Sequence, residues 1–109
     1  MANTFKLKTK ANVGVTTVGI YTAPASTTTV VIGITLANTS GAGVNVGVGI
    51  TRAGATEDVK LLKNAPIPQG SSLEFIGGNK VVLEETDTVT VDSDTNNSID
   101  AALTIMEIT

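Results

Sequence analysis

Alternation with a period of two residues is the feature that most restricts the fold of this chain. It is clearest in TTTVVIGITLANTS and in GVNVGVGIT, where every second residue is aliphatic. The apolar faces of the two segments are Val30, Ile32, Ile34 and Leu36, and Val44, Val46, Val48 and Ile50. Successive side chains of an extended strand point to opposite sides, so each segment predicts a strand with one buried face.

Further strands are predicted near residues 4–9, 13–21, 58–63, 72–76, 79–83, 87–92 and 99–108. As a group these segments are rich in Val, Ile and Thr; they are bounded by turn residues such as Gly, Pro, Asn, Asp and Ser, and no helical periodicity lies between them. This pattern predicts an all-β fold: an antiparallel β-sandwich, immunoglobulin-like or jelly-roll-like, with about eight short strands.

Two connections carry more specific predictions. The turn-forming residues NTSGAG between the two long segments predict a β-hairpin that joins them. In NAPIPQG, the two prolines cannot both donate to a central ladder, so this segment is expected to follow a sheet edge or to cross between the sheets. Ile67, between the prolines, is expected to pack inward.

Length and composition exclude several classes of protein. The 109 residues suffice for one domain, and we expect a single sandwich over residues 11–109 preceded by an extended N-terminal arm, residues 1–10. With 7 basic and 10 acidic residues the net charge is −3, which argues against a nucleic-acid or anionic-membrane binder. MANTFKLKTK does not resemble a signal peptide and no stretch is apolar enough to span a membrane, so synthesis in the cytoplasm is expected.

Charge is distributed unevenly along the chain. Residues 11–51 contain no charged side chain. Either part of this surface is covered by another copy or another protein, or it is a threonine-rich sheet face that water solvates without charges. The outward face of residues 44–51 is therefore a candidate contact surface.

The predicted arm alternates basic and other residues. Lys6, Lys8 and Lys10 share one face of an extended segment. They fit an edge strand protected from unwanted pairing, an arm that docks on an acidic neighbour, or a small nucleic-acid footprint. The candidate partner contacts in the arm are Phe5, Lys6, Leu7 and Lys8.

Catalysis has little support in the composition. The chain has no His and no Cys, and hence neither the commonest general base nor a thiolate nucleophile. Glu84, Glu85 and Asp87 are close together in sequence, where a solvated turn is the simpler interpretation. With three aromatic residues and no Trp, the chain also lacks the platforms typical of sugar binding.

A candidate Ca²⁺ site lies in DSDTNNSID, where oxygen-bearing side chains are closely spaced: Asp92, Asp94, Asn96 and Asp100. The helix-flanked calcium loop also needs Gly at its sixth position and Glu at its twelfth, where this chain has Asn97 and Leu103. The alternative is a hairpin loop of residues that tolerate left-handed backbone geometry. No cofactor is expected.

Five segments together resemble a group of small virion structural proteins of tailed bacteriophages: YTAP, VVIGITLANTS, NAPIPQGSSLEF, KVVLEETDTVTV and SIDAALTIMEIT. The resemblance covers most of the chain. It implies an immunoglobulin-like sandwich and no catalytic residues.

The resemblance also implies a function. The expected protein is a non-enzymatic capsid decoration (cement) protein, located on the virion, that binds the major capsid protein and forms a homo-oligomer, with a trimer favoured. The alternative is a tail, neck or fibre module that acts as an adaptor or recognises the host. Neither nucleic acid nor membrane is an expected partner.

Overall fold

The computed structural model describes residues 3–52, 58–75 and 80–109, and these residues form nine β-strands. The strands are β1 (Asn3–Val13), β2 (Val18–Thr22), β3 (Thr28–Asn38), β4 (Val44–Thr51), β5 (Asp58–Ile67), β6 (Ser72–Phe75), β7 (Val81–Leu83), β8 (Thr88–Ser93) and β9 (Ile99–Ile108). The prediction of an all-β chain is confirmed.

Two antiparallel sheets face each other across one core. In the first sheet the strand order is β1-β9-β3-β6, with β7 also paired to β3, and in the second sheet it is β2-β8-β4-β5. Every strand pairing is antiparallel. This arrangement is the predicted β-sandwich.

The core between the sheets is almost entirely aliphatic. From β9 it receives Ile99, Ala101, Leu103 and Ile105, and from β4 it receives Val44, Val46, Val48 and Ile50. Tyr21 is the one aromatic side chain buried among the described residues. Uninterrupted alternation along both strands therefore sets the inner faces of the two sheets.

Strand β3 departs from the predicted alternation. Val31 and Ile34 are both buried although three positions separate them, because the register against β9 shifts between Val31 and Gly33. An extra residue in one strand of a pair is a β-bulge, and it reverses the faces that follow it. The prediction that Val30 and Ile32 share the buried face of Ile34 was wrong, and both are only half-buried.

The predicted hairpin between β3 and β4 was also wrong. β3 lies in the first sheet and β4 in the second, so the NTSGAG segment crosses between the sheets. Asn38 holds this crossing: its side-chain amide donates to the Ala42 carbonyl at 2.8 Å and to the Ile67 carbonyl at 2.9 Å. Alternation cannot distinguish a neighbour in one sheet from a partner in the opposite sheet, because both bury every second residue.

The proline-rich segment lies at a sheet edge and continues into a crossing between the sheets. β5 is an edge strand of the second sheet and contains Pro66, and the residues after Ile67 lead into β6 of the first sheet. The turn is closed by a bond from the Ser71 amide to the Pro68 carbonyl at 3.1 Å, with Gly70 in left-handed geometry. Ile67 is 1% exposed, so the predictions of an edge, a crossing and an inward Ile67 are all confirmed.

Close packing between β4 and β5 depends on a glycine. A Cβ atom at Gly49 would lie 2.9 Å from the Val59 carbonyl oxygen, closer than packed atoms approach. We expect Gly49→Ala to lower the free energy of unfolding by about 1–3 kcal/mol, because a backbone atom has to move. Gly41→Ala is the matched control, since no atom lies within 4 Å of the methyl group that this substitution adds. Urea denaturation of both variants measures the effect, and equal stabilities would contradict the expected packing.

Candidate interaction surface

The segment predicted as an arm lies in the first sheet as its edge strand. Asn3 to Lys10 pair residue by residue with Ile108 to Ala101 of β9. Residues 3–10 therefore form an edge strand of their own sheet, which is one of the three arrangements that the lysine spacing predicts. The register becomes irregular between Lys10 and Val13, next to the predicted boundary of the arm. The division of the chain at residue 10 stays a prediction.

Pairing with β9 gives the two faces of β1 different characters. Lys6 and Lys8 lie opposite Ile105 and Leu103, so these lysines are on the side of the sheet that faces the second sheet. Phe5 and Leu7 are on the outer side and are 68% and 64% exposed. The four predicted contact residues are thus split between the two sides of one strand.

On the inner side, Lys6 reaches a buried carboxylate. Its ammonium lies 2.8 Å from Glu107 Oε1, and Glu107 is only 6% exposed. The second oxygen, Oε2, accepts a hydrogen bond of 2.6 Å from the Tyr21 hydroxyl, which is 2.8 Å from Thr29 Oγ1. This Glu107 network joins four strands, β1, β2, β3 and β9, and therefore links both sheets.

The network shifts two pKa values in a consistent way. The hydrogen bond from Lys6, then the one from Tyr21, holds the pKa of Glu107 below its usual value against the effect of burial. Burial, followed by the bond to Glu107, raises the pKa of Tyr21 to about 12. Glu107 is consequently ionised and Tyr21 is a hydrogen-bond donor at neutral pH.

The outer side of the first sheet carries an apolar stripe. Directly opposed residues of neighbouring strands share a face, and the pairs Phe5–Met106, Met106–Val30 and Val30–Val82 run in one row. The apolar stripe consists of Phe5, Met106, Val30 and Val82. Its ends are open to solvent, since Phe5 is 68% and Val82 58% exposed.

Beside the stripe, the next two rows are uncharged where they cross β1, β9 and β3, and Glu74 of β6 continues the second row. The next pairs across β1, β9 and β3 are Leu7–Thr104–Gly33 and Thr9–Ala102–Thr35. A shallow depression of about 330 Å³ lies over the second of these rows. Apolar residues that line up on a solvent-facing sheet are typical of a surface that another protein covers.

The other predicted contact surface, the outward face of β4, is not open in this way. Gly47 and Gly49 on that face are buried. A Cβ at Gly47 would contact the Asp92 carboxylate, and the Lys60 ammonium lies 3.7 Å from Asp92. Charged side chains from β5 and β8 therefore extend over the glycines of β4.

The carboxylates after β7 brace a turn. Asp87 is buried and lies 3.0 Å from Arg52 Nε, and Glu84 lies 2.6 Å from the other end of the same guanidinium. Glu85 accepts a hydrogen bond of 2.7 Å from the Ser26 amide. A cavity of about 370 Å³ lies beside the group. Because each carboxylate binds a backbone or guanidinium group, the arrangement stabilises the turn.

Each of the four calcium candidates accepts a hydrogen bond from a different donor. Their side-chain oxygens hold four separate neighbours: the Thr17 hydroxyl at 3.0 Å from Asp92, the Asn45 amide at 3.2 Å from Asp94, the Val15 amide at 3.5 Å from Asn96, and the Asn12 amide at 3.0 Å from Asp100. Within residues 3–52, 58–75 and 80–109 no cluster of three or more His, Cys, Asp or Glu side chains could hold a metal ion. The choice between a Ca²⁺ site and a hairpin loop stays a prediction.

The sequence indicates one strand of this surface and hides the others. Phe5 and Leu7 stand out because they lie in a charged, alternating segment near the N-terminus. The pattern assigns Val30 to the core, because nothing in VVIGI shows the bulge. Glu107 and Met106 lie in a strand whose alternation indicates only a core strand.

No helix in the described residues is long and apolar enough to cross a membrane.

Comparison with known proteins finds similarity at the level of the fold. No family model matches the chain, and no curated protein matches it. A chain from Bacillus endospore appendages, described as a novel family of disulfide-linked pili, matches with a TM-score of 0.57 and 17% identity. The match covers 99% of this chain and 87% of that chain. At this identity the two share a fold, and this chain has no cysteine with which to form such a link.

The Glu107 network predicts a specific pH dependence. The pKa of Glu107 is lower in the folded than in the unfolded chain, so the ionised group contributes stability above the unfolded value of about 4.3. That contribution is lost as the pH falls through the lowered folded value. At pH 7 we expect Glu107→Gln to cost about 1–3 kcal/mol, because the charge-assisted bonds to Lys6 and Tyr21 are lost.

Chemical denaturation between pH 7 and pH 2.5 measures the effect. The difference between wild type and Glu107→Gln should narrow in acid, where both side chains are neutral. Glu74→Gln, on the exposed side of β6, is the control and should differ little from wild type at any pH. A difference for Glu107→Gln that stays constant over this range would contradict the role of the ionised carboxylate.

Proposed function

We propose that this chain is a non-enzymatic structural subunit of a protein assembly, which joins its neighbours through the outer face of the first sheet. The observation that carries the proposal is the apolar stripe, whose end residues Phe5 and Val82 are more than half exposed. An isolated domain gains nothing from such a row. A second protein that covers it removes apolar surface from water and gains about 25 cal/mol per Å².

The character of the edge strand supports the same function. Among residues 3–52, 58–75 and 80–109, β1 pairs with β9 on one side, and its other side presents backbone groups that a further strand can use. Lysines on β1 reduce indiscriminate pairing, and Lys8 and Lys10, beside the Lys6 that binds Glu107, attract a partner with acidic groups. A subunit with one apolar face and one available edge has the surfaces that repeated assembly requires.

The proposal extends to the kind of assembly in which the subunit is located, for which there are two candidates. The sequence resemblance supports a virion protein: a capsid decoration protein, trimeric and bound to the major capsid protein, or alternatively a tail, neck or fibre module. The fold shared with an appendage chain supports a second candidate, a subunit of an extracellular filament. The two differ in symmetry, since a decoration protein forms closed oligomers and a filament subunit forms open ones.

The test of assembly compares two matched surface substitutions. Phe5→Asp places a charge on the apolar stripe. Val15→Asp does the same at a residue that is 56% exposed but lies in the connection between β1 and β2. We expect Phe5→Asp to raise the concentration for half-maximal assembly by about tenfold to a hundredfold, the loss of one buried aromatic contact.

Sedimentation velocity over a concentration series measures the shift, and electron microscopy shows whether the particles are closed or filamentous. Val15→Asp should assemble like the wild type. The proposal is wrong if the wild-type protein stays monomeric both alone and with virion shells. It is equally wrong if both substitutions weaken assembly to the same extent.

A further inference from the structure

Strand β1 is attached to the domain in an unusual way. From Asn3 to Asn12 none of its side chains is buried, and Val13 is the first residue of the strand to enter the core. Residues 3–10 are therefore attached through backbone hydrogen bonds to β9 and through the ion pair between Lys6 and Glu107. A strand held in this way leaves no cavity in the core when it departs.

The position that β1 occupies is defined by the remainder of the domain. β9 supplies the backbone groups, and Glu107 supplies a buried carboxylate that Tyr21 orients from the second sheet. When β1 departs, this carboxylate loses the ammonium group that balances its charge, and a cation at the same place restores the balance. The position therefore requires an extended strand with a cation at the place of Lys6, and β1 of a second copy meets that requirement as well as the chain's own.

A hinge separates residues 3–10, which insert no side chain into the core, from the part of β1 that is anchored there. The register shifts between Lys10 and Val13, and Asn12 has a φ of 58°, a left-handed geometry that Asn tolerates. Beyond the hinge the chain is fixed, since the Ser98 amide donates to the Val13 carbonyl at 3.1 Å and the Ser93 amide to the Gly14 carbonyl at 2.9 Å. A change of backbone angles at residues 11–12 moves residues 3–10 and leaves the core intact.

We propose that β1 is exchanged between copies, so that residues 3–10 of one chain pair with β9 of the next and place Lys6 against its Glu107. This inference rests on the proposed assembly function and names the contact that joins the subunits. The exchange replaces each contact by an identical one, so concentration and the hinge geometry decide the balance between closed monomer and exchanged oligomer.

The reach of the strand is sufficient. Eight extended residues span about 26 Å. The shorter dimensions of the molecule are 28 and 22 Å. A released β1 can therefore extend to an adjacent subunit, which donates its own β1 onward, and the result is a ring or an open polymer according to the rotation between subunits.

Disulfide trapping tests the exchange, and the absence of natural cysteines makes it clean. Ala102 of β9 lies opposite Thr9 on one side and opposite Thr35 of β3 on the other. Directly opposed residues of antiparallel strands are close enough for a disulfide. Chains with Ala102→Cys are mixed with chains of different mass that carry either Thr9→Cys or, as the matched control, Thr35→Cys.

After dissociation, mixing, reassembly and oxidation, mass spectrometry quantifies the mixed disulfide dimer. We expect the Thr9→Cys mixture to exceed the Thr35→Cys mixture by about tenfold or more, because pairing in an oligomer holds the thiols near millimolar effective concentration. The double variant Thr9→Cys/Ala102→Cys checks the pairing itself and should form a disulfide within or between chains.

The outcomes separate the two proposals. If particles form and the two mixtures give equal amounts of mixed dimer, the exchange is wrong and the assembly function stands. If no particles and no excess of mixed dimer appear at any concentration, both are wrong. If the double variant forms no disulfide at all, β1 does not pair with β9 in this register, and the exchange is overturned on that ground.

Discussion

The attachment of β1 to β9 is the constraint on which the outer surface of this protein depends. Backbone hydrogen bonds and one ion pair to Glu107 hold the strand, and no side chain from Asn3 to Asn12 is buried. The first sheet owes its apolar stripe to this pairing, since Phe5 is brought beside Met106. The candidate functions of the protein follow from residues 3–10, which form part of this surface and insert no side chain into the core.

The Glu107 network explains how such a strand keeps its register. A shift of β1 by one residue turns its lysines to the outer face and leaves the carboxylate without an ammonium. A shift by two residues brings Lys8 to the place of Lys6, but it also moves Phe5 and Leu7 away from their present partners on β9. Tyr21 fixes the carboxylate from the opposite sheet, and every buried side-chain nitrogen and oxygen in the described residues has a partner. One charged contact therefore positions an edge that packing alone leaves free.

The sequence was sufficient for the strands and insufficient for their partners. Alternation located β3, β4 and β9, and the prolines located a sheet edge and a crossing, because these are local properties of the chain. The predicted hairpin from β3 to β4 failed, since strands that face each other across the core carry the same pattern as neighbours in one sheet. The bulge after Val31 was invisible because Gly33 and Ile32 fit a regular strand equally well. For the same reason the sequence did not predict that Val30 lies in the apolar stripe, since it does so only because of the bulge. The sequence does not reveal the role of Glu107, because this role depends on the ion pair with Lys6. Lys6 lies about a hundred residues away along the chain and contacts Glu107 only in the folded sheet.

Amide hydrogen exchange of β1, followed from dilute monomer to assembled particle, is the most direct test that this edge strand joins the subunits. The account predicts low protection for the amides of residues 3–10 in the monomer, because none of their side chains is buried, and a rise in protection on assembly, while β3 and β9 stay protected throughout. Protection of β1 equal to that of β3 in the monomer, with no change on assembly, would contradict it.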